Sequence, residues 1–178
     1  MAFRDELLGR QLVKKKIITE EQLEEAMNIQ RQRKEEGNRN LLGEILVELE
    51  YCTEEEVAKT LSDVFNVPYI RNEEIIISEE VQDMLLPEIM EKYQAVPLWI
   101  EDDKLIVAMK NQKDIVAMEN IQVMTGYKVK PVVVTNSVLQ AFIEMALNPT
   151  KDDISEIYER LGIHSETEED LEVDDIDE

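Results

Sequence analysis

The chain has 178 residues, room for one ordinary domain or two small ones, and 43% of them are hydrophobic, enough to bury a core. Its 41 Asp and Glu against 19 Lys and Arg leave a formal net charge of −22, which repels a phosphate backbone and excludes sequence-independent nucleic-acid binding without a segregated basic patch. No apolar run approaches the roughly 20 residues of a membrane span, the first residues lack the basic-then-apolar order of a signal peptide, and the single cysteine cannot form an internal disulfide. Together these predict a cytoplasmic protein.

In chain order, the first third reads as helices. Thr19 is an N-cap with Gln22 three residues on, a capping box that starts a helix. Leu23, Ala26, Met27 and Gln30 then recur at helical spacing until a loop over 36–40. The pattern repeats. Leu41-Leu42-Gly43-Glu44-Ile45-Leu46-Val47 echoes Leu7-Leu8-Gly9-Arg10-Gln11-Leu12-Val13, and Thr53-Glu54-Glu55-Glu56-Val57 echoes Thr19-Glu20-Glu21-Gln22-Leu23, always at an offset of 34 residues. A shared offset across separated blocks predicts two related helix-turn-helix units packed on each other.

The grammar changes from Val67. Ile75–Ile77 reads as a short extended segment, and Ser78 as the N-cap of a helix broken near Pro87 that resumes to about Tyr93. A hairpin follows, Ala95–Glu101 and Lys104–Met109 about the turn residues Asp102 and Asp103. Asp114–Thr125 reads as a helix capped by Gly126, Lys128–Val134 as a β-branched strand, and Asn136 as the cap of a helix to about Leu147 that Pro149 stops. The fold class is α+β: a helical tandem repeat over 1–66, then a small α+β domain over 67–149 with a sheet of about three to four strands and helices on one face. Between Thr150 and Glu178 stand 13 acids and 2 bases, an acidic linker. Ile154, Ile157, Tyr158 and Leu161 allow a short helix in it, with disorder expected after Gly162.

Catalytic chemistry is absent from the residue pattern. There is no G-x-x-x-x-G-K-[ST] phosphate loop, and the five glycines are too scattered to build one. One Cys and one His, Cys52 and His164, cannot make a zinc site. Asp102-Asp103 and Asp174-Asp175 fit a turn and a solvated tail better than acid–base catalysis. Trp99 and Tyr93 read as sheet packing, the methionines, Met124 among them, as core filler, and Cys52 as a small buried residue. The only basic run, Lys14-Lys15-Lys16, is a solvated helix end or an anion contact. No catalytic and no metal-binding residue is expected.

The two repeats, with Val96-Pro97-Leu98, Leu105–Met109, Asp114, Thr125-Gly126-Tyr127-Lys128-Val129 and Pro131–Val134, resemble the N-terminal region of the GspE/PilB superfamily of type II secretion and type IV pilus assembly ATPases. In that superfamily the repeat takes the form R-L-G-x-x-L-V-x-x-G-x-I-x-x-x-x-L-x-x-A-L-x-x-Q, duplicated, and is known as the MshEN domain, which binds cyclic di-GMP. Here Leu8, Gly9, Leu12, Val13 and Gln30 keep their places in the first copy, and Leu42, Gly43, Leu46 and Val47 in the second. Leu7 and Leu41 stand at the Arg position, Lys16 and Glu50 at the second Gly, and Val64 at the second Gln. Leucine cannot stack on a base or fork onto phosphate as a guanidinium does, and Glu50 brings a negative charge toward a dianion.

The resemblance implies a non-catalytic interaction or regulatory module preceding a C-terminal ATPase motor domain, with ATP and Mg²⁺ confined to that motor. Its implied partners are the inner-membrane platform proteins of the secretion or pilus machine, and its place is the inner face of the inner membrane, reached through those partners. Cyclic di-GMP sensing is the alternative, disfavoured by the replaced Arg and Gly positions.

Overall fold

A computed structural model describes residues 3–149 and 151–163, with the backbone course alone for 151–155. The chain divides into two compact units. One runs to Tyr69 and adds Thr135–Ser137; the other comprises Ile70–Val134 and the residues from Val138 onward.

The first unit holds four helices, α1 (Phe3–Lys14), α2 (Glu20–Glu35), α3 (Leu42–Glu48) and α4 (Glu54–Phe65). Capping boxes start α2 and α4. The Thr19 hydroxyl accepts from the Gln22 N–H at 3.2 Å and the Gln22 side chain accepts from the Thr19 N–H at 2.9 Å; Thr53 and Glu56 repeat the exchange at 3.1 and 2.8 Å. The repeats interleave, with α1 packing on α4 and α2 on α3, while α1 also meets α3. Leu8, Leu12, Leu42 and Leu46 are fully buried in this core. A Cβ on Gly9 would stand 2.7 Å from Leu23 and 3.2 Å from Leu42, and one on Gly43 would stand 2.8 Å from Val57 and 3.4 Å from Leu8. Each glycine thus admits one leucine of the other copy, the reciprocity of a two-fold relation.

The same symmetry governs how α1 and α3 end. The Lys16 N–H donates to the Val13 carbonyl and Ile17 to Leu12, at 2.9 and 3.0 Å; Glu50 donates to Val47 and Tyr51 to Leu46, again at 2.9 and 3.0 Å. These are paired Schellman closures. Lys16 and Glu50 occupy their left-handed position, at φ of +60° and +59°. Lys16 and Glu50, which stand where the repeat motif has its second glycine, are therefore helix-terminating residues at exposed sites. A side chain in this conformation costs about 1–2 kcal/mol, offset in part by glycine's larger unfolded-state entropy. Lys16→Gly and Glu50→Gly are each expected to stabilise the unit by about 0.5–1 kcal/mol, read as a raised urea midpoint at unchanged slope.

In the second unit, β1 (Ala95–Glu101) pairs antiparallel with β2 (Lys104–Met109), and β3 (Lys128–Val132) lies parallel to β2 on its other side. Asp102 and Asp103 turn the hairpin at φ of +50° and +61°, as a two-residue turn with both centres left-handed requires. Pro97 is tolerated because β1 is an edge strand. The register slips between Pro97 and Trp99, and the carbonyl of the unopposed Leu98 accepts from the Ser78 N–H at 3.0 Å. α7 (Ile115–Thr125) makes the crossover from β2 to β3, started by an Asp114 side chain that accepts from the Ala117 N–H and stopped by Gly126 at φ +78°. Every residue of Leu105–Met109 is buried, so both sheet faces are covered at β2.

Three expectations shift. Ile75–Ile77 does not pair as a strand: a 3₁₀ turn over Asn72–Glu74 precedes it and Ile75 plugs the core, fully buried. The sheet accordingly has three strands among the described residues. Pro87 opens a helix rather than breaking one: a single turn, α5 (Glu79–Gln82), gives way to α6 (Pro87–Tyr93) with the proline in its first turn, where its missing N–H is not needed. β3 ends at Val132 because the Val133 carbonyl turns to the Ile70 N–H at 2.9 Å.

After α8 (Asn136–Leu147) comes α9 (Lys151–Leu161). Ile157, Tyr158 and Leu161 pack on the core, Ile163 is buried in it, and Tyr158 meets Phe142 edge-on at 6.3 Å. The packed chain thus continues past residue 149, where the acidic linker was drawn, and the expected disorder after Gly162 lies almost wholly outside the described residues.

Candidate functional site

Of the nine motif positions, six are packed into the core. Leu8, Leu12, Leu42 and Leu46 are buried to the last atom, Gly9 and Gly43 are close-contact points between helices, and Val13 and Val47 are half-buried. Gln30 is the polar member. Its amide donates to the Asp5 carboxylate at 2.7 Å and to the Asn40 carbonyl at 3.1 Å, tying α2 to α1 and to the loop before α3. Asp5 is 1% exposed, and Arg4 stands 3.4 Å from it. Burial holds the Arg4 guanidinium below its ordinary range, opposed by the charges of Asp5 and Glu44.

Beside Gln30 opens a concavity of about 690 Å³. Three cations line it, Arg31, Lys34 and Arg39, together with Asp5 and with Leu41 of the second copy. Three positive charges around one hollow in a chain of net −22 form the segregated patch that the total charge conceals, and an anion could be held there by charge and by the Arg31 and Arg39 forks. The Lys14–Lys16 run is used otherwise: Lys15 pairs with Asp63, and Lys16 ends α1. The signal for the real cluster was faint, Arg31 and Lys34 at i, i+3 near the end of α2 with Arg39 in the following loop.

The remaining candidates settle into structure. Trp99 and Tyr93 pack on the core of the second unit, and the Tyr93 hydroxyl accepts from Asn120 at 2.7 Å. Met124, expected as core filler, is instead 50% exposed. Among the described residues no group of three or more His, Cys, Asp and Glu could hold a metal ion, and His164 lies outside them. Cys52 occupies the place of Ile18 in the other repeat and is buried like it. Burial, with a smaller push from Glu56, raises its thiol to about 11. The neutral thiol is thus favoured in the folded state, so stability is complete below the ordinary thiol range and falls as pH rises toward about 11. A thiol reagent at pH 8 is expected to modify Cys52 at least tenfold more slowly in the native chain than in urea.

The family model of the MshEN domain matches residues 65–162, more than half of the chain. The chain belongs to the MshEN domain family. The matched residues lie over the α+β unit, whereas the repeat motif lies in the helical unit, where Leu7, Lys16, Leu41 and Glu50 depart from it. Among curated proteins, this MshEN chain is 28% identical over 135 residues to the type IV pilus assembly ATPase PilB of Thermus thermophilus, covering 75% of the chain and 15% of that protein. It is 28% identical over 137 residues to PilB of Myxococcus xanthus, covering 77% and 23%. The chain thus spans less than a quarter of the length of either. Its fold is that of a structure of MshE with cdg, at a TM-score of 0.62 and 24% identity over 78% of this chain and 97% of the other. The N-terminal domain of XpsE shares it at 0.60 and 21%, over 81% and 96%.

Proposed function

We propose that the chain is a non-catalytic interaction module of a type II secretion or type IV pilus assembly ATPase, docking the motor to inner-membrane platform proteins from the cytoplasmic side. The observation that carries this reading is an uncovered apolar surface on α7, where Ile115, Val116 and Val123 are 63%, 64% and 84% exposed; such a patch on a folded domain marks a contact surface. The use of six of the nine motif positions for core packing supports a scaffold over a sensor. No helix among the described residues is long and apolar enough to cross a membrane, which agrees with attachment through partners. The purified chain is expected to associate with the cytoplasmic domains of the platform proteins, and its deletion from the parent ATPase to impair assembly. No association, together with unimpaired assembly, removes the reading.

The cationic concavity favours a second reading, a sensor for cyclic di-GMP or a similar anion, with Gln30 and Leu41 at the motif positions that line it; the relative MshE was solved with cdg. Calorimetry separates the two. Micromolar binding of cyclic di-GMP that Arg31→Glu abolishes supports sensing, and a flat titration up to high micromolar ligand eliminates it.

A further inference from the structure

The helix α7 is apolar nearly all round, yet the protein covers only part of it. Ala117 and Ile121 are fully buried and Met118 packs on the core, while Ile115, Val116, Val123 and Met124 face outward. A helix of this composition ordinarily has both sides covered. Val116, Glu119 and Val123 stand at i, i+3 and i+7, one stripe whose apolar ends are two turns, about 10 Å, apart. Glu119, exposed, is the only charged residue between them.

We propose that this face binds a basic amphipathic helix of a partner protein, with apolar residues at heptad spacing set against Val116 and Val123 and a Lys or Arg at the midpoint set against Glu119. The inference rests on the docking reading and names the chemistry of the partner. Charge complementarity selects that occupant. A second copy seated on the same face about a two-fold axis would bring Glu119 against Glu119, since the glutamate marks the middle of the stripe, and would join two chains of net −22. An anionic membrane surface meets the same repulsion. A cation on an apolar helix instead neutralises Glu119 as the flanking side chains exclude water, and ridges of one helix into grooves of another fit a stripe of this length.

The test uses two synthetic helical peptides of about three heptads, with leucines at heptad spacing and differing only in a midpoint Lys or Glu, titrated into the full chain by fluorescence anisotropy at physiological salt. The Lys peptide is expected to bind at least tenfold more tightly than the Glu peptide, Glu119→Lys to reverse the order, and Val123→Asp to abolish binding of both while circular dichroism stays native. Non-specific attraction to an acidic protein would survive Glu119→Lys, so an unreversed order overturns the proposal, as does absence of binding. A concentration-dependent dimer that Val123→Asp dissolves overturns it in favour of a second copy. If Val123→Asp retains platform association, the face is wrong and docking stands; if the wild-type chain never associates with platform proteins, the docking reading fails whatever the peptides do.

Discussion

Asp5→Ala is expected to destabilise the helical unit by about 3–5 kcal/mol, the scale for removing one member of a largely buried ion pair. Asp5 is 1% exposed and accepts from Gln30 at 2.7 Å while facing Arg4 at 3.4 Å. Alanine removes a negative charge beside a guanidinium already held down by burial, and takes one of the two acceptors from the Gln30 amide. Asp5→Asn keeps the shape and an acceptor for Gln30, so its cost should be smaller, about 1–3 kcal/mol. Urea unfolding followed by circular dichroism measures both. A loss below about 1 kcal/mol for the alanine variant would mean that Arg4 is sustained by Glu44 and water without Asp5.

The second large effect is expected at the contact between the repeats. Leu42→Ala should cost about 2–5 kcal/mol, transfer and cavity terms together, because Leu42 is fully buried and fills the space that Gly9 leaves open. Gly9→Ala alone trades a gain in helix propensity of about 1 kcal/mol against a Cβ 2.7 Å from a Leu23 methyl. Combined, the two changes should cost less than their sum, since the added methyl enters the volume that Leu42 vacates. Strict additivity would show that the two sites do not share that space. The symmetric pair, Leu8 with Gly43, should couple in the same sense, but less, because the β-branched Val57 at 2.8 Å yields less readily than a leucine.

Much of the helical unit was legible because its signals are local. The 34-residue offset carries Thr19 onto Thr53 and Leu8 onto Leu42, and the caps and core leucines fall where the repeat puts them. The hairpin was legible for the same reason, two acidic turn residues between apolar runs. Ile75–Ile77 was not: three isoleucines suit a strand or a core plug equally, and only Ser78 bonding to Leu98 at a bulge decides between them. α9 reads from its spacing as a helix, but that it packs on the core depends on Phe142 and the sheet, far back in the chain.

The candidate site was less legible, and the reason is long-range. Gln30 meets Asp5 across 25 residues, and Arg39 reaches the hollow shared with Arg31 only because the loop before α3 folds back toward α2. Composition averages such a cluster into a net −22. The apolar side of α7 was hidden differently. Apolar residues lie nearly all round it, so its sequence does not mark a buried side; Val116 and Val123 belong to the solvent side, and which side the sheet takes is set by the crossover from β2 to β3.

The docking account stands or falls on one titration, in which the wild-type chain and the double variant Val116→Asp with Val123→Asp are each added to the purified cytoplasmic domains of the platform proteins. The account predicts saturable association for the wild-type chain, weakened at least tenfold by the double variant while its circular dichroism remains native. A wild-type chain that associates with none of these domains contradicts it.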